Sequence, residues 1–180
     1  MRGDNESRTL ALAKTALSRL DGDIEEIRLA DADLKPLDVA GLAKRAESAE
    51  KNDFSDPVYD CAKQFAACDT VVIAAPFWDY SFPAFLKIYI ESLCVGGLTF
   101  LYGSDGVPIS YCRAKRLIYI TTSDGYIGGT DFGFEYIKTV MKSFFGIENF
   151  SFFSAEGLDI LGNDPAAILK AAQEKIEREL

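Results

Sequence analysis

A strand-loop-helix unit between Val71 and Gly97 constrains the fold more than any other part of the chain. Its apolar run, Val71–Ala75, shows no polar alternation and ends at a proline. Such a run predicts a strand buried on both faces, as strands of parallel sheets are. Open parallel sheets bind ligands at the carboxyl ends of their strands. We therefore expect a flat ligand with polar edges beside the aromatic loop that follows, which contains Pro76, Phe77, Trp78, Asp79 and Tyr80.

Predicted strands and helices alternate along the chain, which is typical of an α/β fold with a doubly wound sheet. The predicted strands are Ile24–Leu29, Val71–Ala75, Arg116–Thr121 and Asn149–Ser154. The predicted helices are Ser7–Leu20, Asp56–Ala67, Ser81–Val95, Phe132–Phe145 and Pro165–Leu180. Residues 30–52 are predicted to form a polar surface segment with helical content at 39–51. Residues 98–112 are predicted to form a loop of hairpin character. We expect Ser81 and Asp164 to cap helices, with Pro83 and Pro165 in the first turns.

Composition limits the classes of function. The chain has 180 residues, 48% of them hydrophobic, which predicts one compact domain over residues 1–180. Its net charge of −9 argues against nucleic acid or an anionic membrane as a partner. No apolar stretch approaches the roughly 20 residues that span a bilayer, and the polar start MRGDNESRT lacks a signal-peptide core. We therefore expect a soluble, cytoplasmic protein.

The chain contains no histidine, which excludes the usual Ser-His-Asp and Cys-His catalysis and argues against a zinc or non-haem iron enzyme. No metal site is therefore expected. Chemistry supplied by an organic cofactor is favoured by elimination. The four cysteines are scattered without a C-x-x-C pair, so we expect free, buried thiols in a reducing compartment.

Two further segments offer ligand-binding groups. Thr122, Ser123, Asp124 and Gly125 follow the next predicted strand, and their small side chains let backbone N–H groups approach a ligand. Ser7-Arg8-Thr9 opens the first helix and combines hydroxyls, a guanidinium and free N–H groups, which suit a phosphate. Each segment also has a simpler interpretation: rim packing or a dimer contact for the aromatic loop, a plain turn for 123–125, and ordinary helix capping for 7–9.

Taken together, the segments resemble the flavodoxin-like NAD(P)H-dependent oxidoreductases, specifically the FMN-dependent NADH:quinone oxidoreductase and azoreductase family. Residues 75–80 match the family pattern A-P-[MF]-[YW]-N-[FY], except at Asp79. Residues 83–91 match P-x-x-L-K-x-[YF]-[IF]-[DE], and residues 97–102 match G-x-T-F-x-Y. Residues 7–9 match the family's Ser-x-Ser/Thr, and the resemblance extends in order over nearly the whole chain.

The resemblance implies a flavodoxin-like, three-layer α/β/α fold, an FMN cofactor and NADH or NADPH as co-substrate. It implies two-electron, ping-pong hydride transfer to a quinone or azo acceptor, in a homodimer and without a catalytic side chain. Ser7, Arg8 and Thr9 would hold the FMN phosphate. The ring would be held by two groups of residues from the loops after the strands: Pro76, Phe77, Trp78, Asp79 and Tyr80, and Thr122, Ser123, Asp124 and Gly125.

The chain departs from the family pattern in three places. Asp79 stands where the family has Asn, and an ionised carboxylate only accepts hydrogen bonds. Asp124-Gly125 replaces a Gly-Gly pair. The apolar strand that opens the family's central sheet is missing before Ser7. We expect the natural start to lie upstream, with Met1 an internal methionine; the alternative is a truncated chain with a rearranged sheet.

Two rival functions remain open from the sequence. A flavodoxin-type electron carrier would stabilise the half-reduced flavin and dock to basic redox partners through its acidic surface. A flavin-free interaction protein would have lost the cofactor together with the first strand.

Overall fold

The computed structural model describes residues 7–129 and 131–180. Its helices are α1 (Arg8–Leu17), α2 (Val39–Lys51), α3 (Asp60–Ala67), α4 (Ala84–Leu93), α5 (Phe132–Phe145) and α6 (Pro165–Glu179), with a 3-10 turn at Pro57–Tyr59 before α3. Its strands are β1 (Thr70–Ala74), β2 (Phe100–Tyr102), β3 (Pro108–Ser110), β4 (Arg116–Thr122) and β5 (Asn149–Ala155). The prediction about Met1 lies outside the described residues.

Three of the strands form a parallel sheet in the order β1-β4-β5. In the register of this sheet Ile73 lies opposite Tyr119, and Tyr119 opposite Phe152. Strands β2 and β3 form a separate antiparallel hairpin, as the sequence predicted for residues 98–112. Because all three main strands run in one direction, their carboxyl ends meet at one edge of the sheet.

Helices cover both faces of the parallel sheet. Successive side chains of a strand point to opposite faces. In β4, Leu117 and Tyr119 face a core that includes residues of α3, α4 and α5, whereas Ile118 and Ile120 face residues of α1 and α6. All four side chains are at most 1% exposed. β4 is thus the buried centre of three α/β/α layers, which confirms the predicted fold class.

One predicted strand is wrong. Residues 24–29 form no strand, and the side chain of Ile24 is 55% exposed. β1 pairs with β4 on one side, and within the described residues no strand pairs with its other edge. In a flavodoxin-like order this segment would pair with the central first strand. Within residues 7–129 and 131–180 no such strand lies beside residues 24–29, and this segment instead contacts α3 through Glu25 and Gln64.

The predicted start of α4 needs correction as well. The helix begins at Ala84, and Pro83 occupies the N-cap position without a side-chain cap. Ser81 does not cap it, because its backbone exchanges two hydrogen bonds with Trp78, of 2.9 and 2.7 Å. The start of α6 is confirmed: the Asp164 side chain accepts hydrogen bonds from two N–H groups of the first turn, and Pro165 is the first helical residue.

Candidate functional site

Three segments predicted to bind a ligand meet at the carboxyl end of β4. The Thr122 hydroxyl lies 2.5 Å from the Thr9 hydroxyl in the first turn of α1. The Thr122 carbonyl accepts a hydrogen bond of 2.9 Å from the Phe77 N–H in the aromatic loop. Thr122 therefore joins the helix start to both loops, and both threonine side chains are buried.

The N-terminus of α1 provides a site for an anion. The Ser7 side chain accepts a hydrogen bond of 3.2 Å from the Leu10 N–H, which fixes the first turn. The N–H groups of Arg8 and Thr9 have no intrahelical acceptor, as in the first turn of any helix. These donors and the positive end of the helix dipole favour a negatively charged group. Ser7 therefore caps the helix by accepting a hydrogen bond. Its hydroxyl can in addition donate its proton to a bound anion.

The aromatic loop is a tight turn built without glycine. Trp78 and Ser81 are bridged by backbone hydrogen bonds, and the two residues between them, Asp79 and Tyr80, have φ angles of 50° and 62°. Two consecutive positive φ angles are typical of a type I′ turn, which usually contains Asn-Gly. Side chains rarely adopt this conformation, so the turn is strained. Trp78 and Tyr80 point to solvent from this turn and are 47% and 62% exposed.

Helix α5 supports this turn from behind. The Tyr80 carbonyl accepts a hydrogen bond of 3.1 Å from the Phe132 N–H. Gly133 allows the close approach, because a Cβ at this position would lie 3.1 Å from Ser81 Cα and 3.0 Å from Phe82 Cδ1. The first turn of α5 thus fixes the position of the aromatic loop.

The loop after β4 is held by the loop after β5. Ser123 accepts a hydrogen bond of 3.2 Å from the Leu158 N–H, and Gly125 accepts one of 2.9 Å from the Gly157 N–H. Asp124 accepts one of 3.0 Å from the Asp159 N–H. These three backbone bonds align the loops as a short ladder, so residues 157–159 form one side of the site.

Among the described residues, Arg8 pairs with two carboxylates at the edge of the site. Arg8 Nη2 lies 2.7 Å from Asp159 Oδ1, and Arg8 Nη1 lies 3.7 Å from Asp124 Oδ1. The side chains of Arg8, Asp159 and Asp124 are 18%, 40% and 80% exposed. Arg8, predicted to bind a phosphate, is therefore already paired with acids of the two neighbouring loops.

The residues present suit a flat ring that carries a phosphate. Four N–H groups make no hydrogen bond to another described residue and remain available as donors; they belong to Asp79, Tyr80, Asp124 and Gly125. Exposed aromatic side chains next to these donors can stack on a ring. The start of α1 supplies the anion-binding groups. FMN has both parts, so its chemistry fits this set of donors.

All twelve site residues predicted from the sequence lie in segments that the structure brings together at one edge of the sheet. Sequence reasoning missed the loop after β5, in which Glu156 accepts a hydrogen bond of 2.9 Å from the Ile127 N–H. It also missed Asp159. The sequence did indicate this loop as a part of the site, because it follows the predicted strand 149–154 and the carboxyl ends of parallel strands lie at one edge of the sheet.

Neither a metal site nor a membrane span is found in the part of the chain that the structure describes. Residues 7–129 and 131–180 contain no cluster of three or more His, Cys, Asp or Glu side chains arranged to hold a metal ion. Among these residues, no helix has both the length and the apolar character needed to cross a bilayer.

The parallel sheet, with an anion site and an aromatic loop at its strand ends, defines a doubly wound α/β protein of the nucleotide-binding type. A family model described as "Flavodoxin-like fold" matches residues 2–180. The chain therefore belongs to the flavodoxin-like family.

Named relatives agree with this assignment. The chain is 30% identical to the FMN-dependent NADH:quinone oxidoreductase of Coprothermobacter proteolyticus, over 98% of this chain and 92% of that protein. It is 41% identical to FMN-dependent NADH:quinone oxidoreductase 2 of Clostridium acetobutylicum, over 66% of this chain; this match spans only 60% of that protein. In fold it is similar to an FMN-dependent NADH-azoreductase of Bacillus anthracis solved in complex with FMN, with a TM-score of 0.79, 24% identity, and coverage of 97% and 90% of the two chains.

Proposed function

We propose that this protein is an FMN-dependent NAD(P)H oxidoreductase that reduces quinones or azo compounds. The observation that carries the proposal is the position of Thr122, which contacts Thr9 through its hydroxyl and Phe77 through its carbonyl. Thr122 thereby connects the proposed phosphate site with the proposed ring site at the carboxyl end of β4. Relatives named for NADH:quinone oxidoreduction, one of them similar over nearly the full chain, support the same activity.

The start of α1 would hold the FMN phosphate. Ser7 and Thr9 contribute hydroxyls, Arg8 its guanidinium, and the first turn its free N–H groups. The proposed ring-binding residues are Pro76, Phe77, Trp78, Asp79 and Tyr80 of the aromatic loop, and Thr122, Ser123, Asp124 and Gly125 of the loop after β4. Free N–H groups in these loops would donate to the oxygens and nitrogens at the ring edge.

The protein residues would position reactants rather than move protons. When bound, FMN would supply the redox chemistry, which is two-electron hydride transfer between NADH or NADPH and the acceptor. The exposed rings of Trp78 and Tyr80 would stack beside the nicotinamide and then beside the acceptor. No histidine is needed, which agrees with its absence from the chain.

We further propose a homodimer. The β2–β3 hairpin exposes an apolar patch that is close to half exposed at each position; we call it the hairpin patch, and it contains Leu101, Tyr102, Val107, Ile109 and Tyr111. Apolar patches of this kind are typical of protein interfaces.

Light scattering after gel filtration should give twice the mass of the chain. Replacing Leu101 and Ile109 by Ser should shift the mass toward one chain, whereas the same change at exposed Leu42 of α2 should not.

We also propose that residues 1–180 form one domain that works in the cytoplasm. All four cysteines are free thiols in the structure, and a reducing compartment keeps them so. The proposed partners are small molecules, with neither nucleic acid nor membrane among them, and no metal is assigned to the activity.

Reconstitution tests the proposed function. The purified chain is mixed with FMN, gel-filtered, and assayed for NADH-dependent reduction of a benzoquinone and an azo dye. We expect FMN to co-elute with the protein and both acceptors to be reduced, with NADPH compared in parallel. Thr122→Tyr would fill the cleft edge and abolish FMN retention, whereas Thr139→Tyr on the exposed side of α5 serves as the control. Retained FMN with no NADH oxidation would instead support the electron-carrier function.

A further inference from the structure

The Arg8–Asp159 pair crosses the proposed phosphate site. Arg8 is the first residue of α1, yet its guanidinium contacts the loop after β5 at 2.7 Å. The end of β4 contacts both elements, since β4 pairs with β5 and its Thr122 contacts α1. The Arg8 side chain thus reaches from the start of α1 to the loop after β5.

Asp159 is held in place by backbone contacts. Its N–H donates to the Asp124 carbonyl, and the neighbouring Leu158 N–H donates to the Ser123 carbonyl. Gly157, at a φ of 72°, sets the direction of this loop; a Cβ there would lie 3.0 Å from Tyr126 Cε1. The backbone of Asp159 is therefore fixed, and the long side chain of Arg8 reaches its carboxylate.

The two carboxylates offset the positive charge that a phosphate requires. Asp159 contacts the guanidinium directly, and Asp124 lies 3.7 Å from it on the other amino group. The Arg8 side chain is mostly buried, so its pair with Asp159 is less screened than a fully exposed pair. An incoming phosphate must draw Arg8 away from Asp159 or share it, and it also meets the repulsion of nearby negative charge.

We propose that Asp159 competes with the FMN phosphate for Arg8, and thereby sets how strongly the protein prefers FMN over riboflavin. This inference rests on the proposed function, because it needs FMN to bind at the start of α1. Asp159 is a positioning residue that acts through Arg8 and has no role in the redox step. Asp124 adds to the competition, more weakly because it is farther away and more exposed.

The test compares FMN and riboflavin binding, followed by quenching of flavin fluorescence at low salt. Asp159→Asn keeps the shape of the side chain and removes its charge. We expect it to tighten FMN binding about fivefold, the size typical of a partly exposed ion pair, and to leave riboflavin binding unchanged. Asp124→Asn should act in the same direction with a smaller factor.

Asp69→Asn is the matched control. Asp69 also forms an Arg–Asp pair, with Arg113 at 2.8 Å, but at the amino end of β1 and thus at the opposite edge of the sheet. The net charge changes equally in both variants, so a general effect of charge would appear in both. We expect Asp69→Asn to bind both flavins like the wild type.

The Arg8→Gln background separates the competing explanations. If Asp159 acts through Arg8, Asp159→Asn changes FMN affinity much less in Arg8→Gln than in the wild type. An undiminished gain in that background would overturn the proposal, because Asp159 would then repel the phosphate directly. Equal shifts for FMN and riboflavin, or weaker FMN binding in Asp159→Asn, would overturn it too. A wild type that binds neither flavin would contradict the proposed function itself.

Discussion

The hydroxyl groups of Thr9 and Thr122 lie 2.5 Å apart and join the first turn of α1 to the carboxyl end of β4. Both side chains are buried, and each hydroxyl is a hydrogen-bond partner of the other. The pair fixes the distance between the proposed phosphate site and the loop that follows β4. The pair therefore contributes both to the stability of the chain and to the geometry of the site.

Replacing one of these threonines by Val should destabilise the protein. Thr9→Val or Thr122→Val leaves the other hydroxyl buried and unpaired, which costs about 1–2 kcal/mol of unfolding free energy. The double variant should lose clearly less unfolding free energy than the sum of the two single losses, because no unpaired hydroxyl remains in it. Urea unfolding of the four proteins measures this coupling. Strictly additive losses would mean that the two hydroxyls do not interact.

FMN binding should quench the fluorescence of Trp78. This residue is the only tryptophan of the chain and lies in the exposed part of the aromatic loop. A flavin ring that stacks nearby would quench it strongly, and the quenching should saturate with the same affinity as the flavin signal. Unchanged tryptophan fluorescence on a chain that binds FMN would place the ring away from this loop. Trp78→Phe, followed by flavin fluorescence, controls for inner-filter effects.

Asp79→Asn should raise the reduction potential of bound FMN. A carboxylate beside the flavin disfavours added negative charge, and removing one unit charge near the ring is worth roughly 1 kcal/mol, or about 20 mV for two electrons. Asn also suits the φ of 50° at this position, so the unfolding free energy should not fall. Equilibration with reference dyes measures the potential. The control, Asp105→Asn in the hairpin turn, should leave the potential unchanged.

Stability should fall above pH 9 through Cys112. Burial raises the pKa of its thiol to about 11, from a value of 9.0 for an unburied thiol. Because the folded pKa lies above the unfolded one, the stabilising contribution is complete below pH 9 and is lost as the pH rises through 11. The difference in unfolding free energy between wild type and Cys112→Ala should therefore shrink between pH 8 and about 10.5. A constant difference would contradict a buried, protonated thiol.

The sequence predicted those features that depend on local patterns. The apolar run of β1 is visible in a single segment, and parallel strands place the loops at residues 76–80 and 122–125 side by side. The strand predicted at 24–29 was wrong because an apolar pattern indicates a surface to bury, not a neighbouring strand to pair with.

Two features of the site could not be predicted from local patterns. The turn at Asp79-Tyr80 contains neither Asn nor Gly, so its left-handed backbone has no signal in the sequence. The prediction that Ser81 caps α4 was wrong for the same reason, because Ser81 belongs to this turn. The contact between Arg8 and Asp159 joins residues 151 positions apart and depends on the pairing of β4 with β5.

Anaerobic titration with NADH tests the central claim most directly. The chain is loaded with FMN, freed of oxygen, and titrated while its visible spectrum is recorded. One equivalent of NADH per flavin should bleach the flavin band in a single two-electron step, and a benzoquinone added afterwards should restore it. If bound FMN keeps its oxidised spectrum with excess NADH, or if no FMN binds, this protein is not an NADH-dependent flavin oxidoreductase.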